Sequence, residues 1–162
     1  MPEPPFHIVL VQPEIPNNTG TIGRTAAATG CRLHVVHPIG FSMDQKARRR
    51  AGLDYWDQVD CRQHESWDAF LERESPARGW ALTARSDHPV WSAQMRRGDY
   101  LLFGGESSGL PPEIVQWAVS TWGPSSVVGL PMASGLRSLN LACAATAVAY
   151  EGLRQLAFSE HV

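Results

Sequence analysis

The chain predicts an α/β fold: a mostly parallel sheet with helices on both faces. Three observations carry that reading. Continuous apolar runs such as Phe6 to Val11 and Tyr100 to Phe103 are what strands covered on both faces look like. Such runs alternate with segments that read as helices, which implies parallel pairing. No repeat, low-complexity tract or linker divides the 162 residues, so one domain over 1–162 is expected, large enough to bury a core.

Phe6 to Val11 is the first strand, ending in the turn-rich Gln-Pro-Glu-Ile-Pro-Asn-Asn-Thr-Gly. Asn17 or Asn18 is a potential cap for a helix that runs through Thr29 and stops at Gly30. Leu33 to Val36 is the second strand. Met43 to Leu53 carries the basic residues Lys46, Arg48, Arg49 and Arg50. Ser66 caps a short amphipathic helix through Glu74, with Trp67, Phe70 and Leu71 on its apolar side. Trp80 to Thr83 and Tyr100 to Phe103 are further strands. A helix with Pro111, Pro112 and Glu113 in its first turn follows, because proline and an acid are both favourable there. Val127 to Leu130 is the last strand. A Pro and Gly loop then enters a small-residue helix whose first turn is expected to hold Ser138 and Asn140. That helix is apolar on nearly all sides up to Tyr150, so it should be buried, with a subunit interface as its expected cover. It is too short and too polar for a membrane span. The ends, Met1 to Pro5 and Phe158 to Val162, read as loose.

Totals narrow the function classes. A composition 43% apolar and 19% charged is that of a soluble protein, and a net charge of −2 restricts any nucleic-acid binding to a local patch. Cys31, Cys61 and Cys143 are odd in number and scattered, which fits reduced thiols in a cytoplasm. No signal peptide is visible. His34 and His37 point to opposite faces of a strand, so no metal site is expected.

Three loops leaving strand ends carry the unusual chemistry: Pro13 to Arg24, Gly104 to Leu110 and Pro131 to Asn140. Ligands sit outside the carboxyl ends of such strands, so all three can meet in one site. None fits a dinucleotide or phosphate-loop fingerprint, which disfavours a nucleotide-dependent oxidoreductase.

Asn18-Thr-Gly20-Thr-Ile-Gly-Arg24, Phe103-Gly104-Gly-Glu106-Ser-Ser-Gly109-Leu110, and Leu130-Pro131-Met132 with Arg137-Ser138-Leu139-Asn140-Leu141 resemble the three motifs of the SPOUT RNA 2′-O-ribose methyltransferases. The likeness runs along nearly the whole chain. Pro13 to Gly20 and Lys46 to Tyr55 are most similar to the compact members that methylate the wobble nucleotide of tRNA, with leucine isoacceptors as expected substrates. The resemblance implies an α/β knot with a C-terminal trefoil, a homodimer and S-adenosylmethionine as cofactor. It places cofactor contacts at Leu82, Gly104, Leu130, Met132, Ser138 and Leu139. Catalytic positions fall on Asn18, Arg24, Glu106, Ser138 and Asn140.

Arg24 is a poor base, because a guanidinium is very hard to deprotonate; its expected role is to bind a phosphate and stabilise a developing alkoxide. Simpler readings exist for several positions: Ser138 as a helix cap, Glu106 as a turn residue near a helix dipole, and Gly104 as a turn former. Asn140, on a helix otherwise apolar, needs a partner for its amide. Lys46, Arg48, Arg49 and Arg50 form the candidate RNA contact; a solvated charged face is the simpler reading, and their concentration on an otherwise acidic chain stands against it. Methylation of another RNA, and a non-catalytic dimeric RNA-binding module, are the competing functions.

Overall fold

The computed structural model describes residues 2–159; Met1 and 160–162, within the expected loose ends, lie outside the described residues. Six parallel strands form one sheet: β1 (Phe6–Val11), β2 (Arg32–Val36), β3 (Cys61–His64), β4 (Gly79–Leu82), β5 (Asp99–Phe103) and β6 (Val127–Val128). Their spatial order is β3-β2-β1-β5-β4-β6, so β1 and β5 are neighbours although remote in sequence. The register pairs Ile8 with Leu33 on one side and with Leu101 on the other.

Alternation along the strands sends side chains to two cores. Phe6, Ile8 and Leu10 pack with Leu33, Val35, Leu101 and Phe103 under α1 (Pro16–Thr29) and α5 (Leu141–Ser159). Val9, Val11, Val36 and Leu102 pack on the opposite face under α3 (Trp67–Glu74) and α4 (Pro112–Trp122). The remaining helix, α2 (Gln45–Arg50), has no buried residue.

Several boundaries differ from the sequence reading. Asn17 and Asn18 lie inside α1, whose cap position is Ile15 with no side-chain cap bond; a carboxylate from another loop takes that place, as described below. The last strand stops at Val128, and Gly129 instead makes an isolated bridge with Pro89. α5 begins at Leu141, which puts Ser138 in irregular chain and Asn140 at the cap. The edge strand β3, Cys-Arg-Gln-His, lacks an apolar run and had no sequence signal. α5 is covered on one side only: Ala145, Val148 and Ala149 are fully buried, whereas Cys143, Ala147 and Tyr150 are exposed.

Gly23 of α1 shows how tightly the chain that follows α2 is seated at Trp56. A Cβ there would stand 2.3 Å from Cζ3 of the Trp56 ring, so only glycine leaves room for the indole.

The α3 face holds a group that sequence spacing could not reveal. His7 Nδ1 and His34 Nε2 share a hydrogen bond at 2.9 Å, and His34 Nδ1 and His64 Nε2 share one at 3.0 Å. Tyr100 stacks on His7 with ring centroids 4.1 Å apart. Burial pushes His7 down to about 4, with the Arg32 charge adding to it. Burial, with His7 and His64 alongside, pushes His34 down to about 2. The unfolded chain binds these protons near pH 6.5 and the folded chain does not. Stability is therefore complete above that pH and falls as pH drops below it, by up to about 1.4 kcal/mol per pH unit for each histidine. Denaturant unfolding at pH 7.5 and pH 5 checks this: the midpoint should fall at pH 5, and His34→Phe should flatten the difference. Equal midpoints would contradict it.

Candidate active site

The loops after β1 and β5 leave adjacent strands and exchange carboxylates. Glu106 accepts hydrogen bonds from the backbone N–H of Glu14 at 2.7 Å and of Ile15 at 3.0 Å. These donors precede α1, so the carboxylate lies at the positive end of the helix and does the work that a capping side chain would do. In return, Glu14 Oε1 accepts from the Ser107 hydroxyl at 2.6 Å and the Ser107 N–H at 3.2 Å, which holds the Glu14 carboxyl below its usual range.

The third loop joins through two asparagines. Asn18 Nδ2 donates to Glu106 Oε1 at 3.2 Å, and Asn140 Nδ2 donates to Asn18 Oδ1 at 3.1 Å. Asn140 Oδ1 accepts from the Cys143 N–H at 3.1 Å, so it caps α5 and links to α1 at once. The amide that needed a partner has one on each side. Glu106, Asn18 and Asn140 thus form one hydrogen-bonded line across three loops.

Arg24 is not on that line. It lies six residues beyond Asn18, about 240° around the helix and roughly 9 Å along it. Its guanidinium sits 5.1 Å from the centroid of the Tyr55 ring, an exposed cation over an aromatic face. Tyr55 is anchored in turn: its hydroxyl donates to the Gly20 carbonyl at 2.6 Å, and burial pushes its ionisation up. Arg24 therefore borders the segment carrying Lys46, Arg48, Arg49 and Arg50, all on α2, which Asp44 caps by accepting from the Ala47 N–H at 2.7 Å.

Leu82, Gly104 and Leu130 stand at the carboxyl ends of β4, β5 and β6, three adjacent strands. Leu82 and Leu130 pack against the core, and Met132 is half-buried. Ser138 and Leu139 are exposed in the loop before α5. Gly104 serves the loop itself, because a Cβ there would come 1.9 Å from the Gly109 carbonyl carbon. Ser138 is not the helix cap, since Asn140 fills that position. A single ligand atom from each of His7, His34 and Glu74 falls within 4.8 Å of the others, but the rings already bond to one another and Glu74 accepts from Arg62 at 3.0 Å through both oxygens.

Residues 5–150 match the SpoU rRNA Methylase family. A tRNA (cytidine(34)-2′-O)-methyltransferase of Saccharophagus degradans is 45% identical over 154 residues, 95% of this chain and 97% of the relative. A solved structure from work on the 2-OH methylation of C/U34 on tRNA is 47% identical, with a TM-score of 0.83 over 94% of this chain and 96% of that one. The SpoU methyltransferase AviRb of Streptomyces viridochromogenes, solved with AdoMet, is 25% identical with a TM-score of 0.76, covering 97% of this chain and 62% of that one. The resemblance carried by the three motifs is borne out.

Proposed function

The chain belongs to the SpoU rRNA Methylase family, and on that premise we propose that it is a cytoplasmic enzyme that methylates the ribose 2′-hydroxyl of the wobble nucleotide of tRNA. The acceptor is cytidine or a modified uridine of leucine isoacceptors, and the methyl donor is S-adenosylmethionine. The observation that carries this reading is the line Glu106, Asn18, Asn140, which ties the three motif loops into one site.

The residues expected at the cofactor fit it. Leu82, Leu130 and Met132 offer apolar strand ends, and Leu139 and Leu136 are 45% and 64% exposed beside the polar Ser138. An apolar floor with a polar rim suits a flat base joined to a ribose. Bound there, the cofactor supplies an electrophilic methyl group for in-line displacement. The trefoil knot is part of this proposal, with the loop before α5 as its cofactor-holding segment.

The chain's own residues position the acceptor. Asn18 and Asn140 fix the loop ends, and Glu106 keeps the start of α1 against the β5 loop. Arg24, with five donors and no accessible base form, binds the phosphate beside the acceptor and stabilises the negative charge that develops on the attacking oxygen. The α2 cations extend that grip along the RNA backbone.

We also propose a homodimer that covers the exposed side of α5. Ala147→Glu should convert it to monomer by light scattering, because a charge in such a contact is left unpaired. An unchanged dimer would remove α5 from the interface.

The functional test is transfer of labelled methyl from S-adenosylmethionine to tRNA and to ribosomal RNA, followed by nucleoside analysis. A 2′-O-methylated pyrimidine from tRNA alone is expected. Label only in ribosomal RNA would assign another substrate, and cofactor binding without label in either would leave an RNA-binding role.

A further inference from the structure

A cavity of about 300 Å³ opens at the carboxyl end of β1, walled by Pro13, Pro38, Ile39, Gly105 and Pro111. It adjoins the carboxylate exchange: Glu14 and Gly105 line it, and Glu106 follows Gly105 directly. Gln12 also lines it and is exposed. Its backbone has φ 52, a left-handed conformation that costs energy in any residue but glycine, and its N–H is held on the Val36 carbonyl at 2.9 Å. A residue in the left-handed region, with an exposed amide side chain, thus lines a small cavity beside the Glu14–Glu106 exchange.

The wall is chemically selective. Proline rings and an isoleucine suit the face of an aromatic ring, and the volume is at the small end for ligand sites. Ser107 occupies Glu14 Oε1 and leaves Oε2 as an acceptor. The Gln12 amide carries both a donor and an acceptor, so by turning over it can match the edge of cytosine or of uracil. Enzymes that act on one nucleotide of a structured RNA read its splayed base by stacking and by hydrogen bonds to the Watson–Crick edge.

We propose that this cavity receives the pyrimidine base of the target nucleotide and that Gln12 reads its Watson–Crick edge. The inference rests on the wobble reading above and adds a base-specific contact to it.

The test is a cycle of two variants and three tRNA transcripts with cytidine, uridine or an abasic ribose at the first anticodon position. Gln12→Ala should lower kcat/KM roughly tenfold on the cytidine and uridine transcripts, the loss expected for a bidentate base contact. On the abasic transcript it should change nothing, because the contact is already gone. Ile39→Trp, which fills the cavity, should abolish transfer to both pyrimidine transcripts while S-adenosylmethionine still binds by calorimetry. An equal loss on all three transcripts would make Gln12 a merely structural residue. Wild-type rates for both variants on the pyrimidine transcripts would overturn the pocket. A wild-type enzyme inactive on every wobble pyrimidine would overturn the wobble reading and the pocket together.

Discussion

Arg24→Ala is expected to lower methyl transfer to tRNA by about a hundredfold to a thousandfold, the loss typical of a group that stabilises charge only in the transition state. Cofactor affinity should stay within about twofold, because Arg24 lies over the Tyr55 ring, off the line of Glu106, Asn18 and Asn140 that joins the motif loops. Arg24→Lys should recover little, since an ammonium cannot reproduce a planar, stacked guanidinium. Tyr55→Leu should cost less than Arg24→Ala, because it removes the platform and leaves the charge. Single-turnover rates with saturating cofactor, beside calorimetric cofactor binding, separate these effects. Full turnover by Arg24→Ala would take the residue out of the mechanism.

Glu106→Gln is the second large effect, and it works differently. The carboxylate accepts from Glu14 N, Ile15 N and Asn18 Nδ2. An amide keeps one acceptor and turns its own N–H groups toward those donors. Either the Glu14 N–H or the Ile15 N–H and Asn18 Nδ2 pair then loses its acceptor, and only the Glu14–Ser107 bonds hold the two loops together in full. Activity should fall by about a hundredfold or more, together with about 1–3 kcal/mol of stability. Unlike Arg24→Ala, this variant should move the denaturation midpoint. Unchanged stability would contradict the capping role assigned to Glu106.

The strands with continuous apolar sequence, β1, β2 and β5, were legible because burial on both faces leaves that pattern. β3 was not, since Cys61 to His64 is an edge strand defined by its pairing with β2. The site was legible as a set of motif loops, and Glu106, Asn18 and Asn140 do come together. Its inner wiring was not. No local signal says that a carboxylate from residue 106 would serve the start of a helix at Pro16, or that Asn140 rather than Ser138 would cap α5. The separation of Arg24 from that line follows from helix geometry and could have been read from the six-residue spacing. The histidine chain was invisible because His7, His34 and His64 come from three strands and meet only when those strands pair in register.

The most direct test of wobble 2′-O-methylation uses two tRNA transcripts that differ by one oxygen, with cytidine or 2′-deoxycytidine at the first anticodon position. The ribose transcript should take up one methyl group per molecule and the deoxy transcript none, although both bind. Equal incorporation into the two would contradict the account, since the methyl group would then be going to another atom.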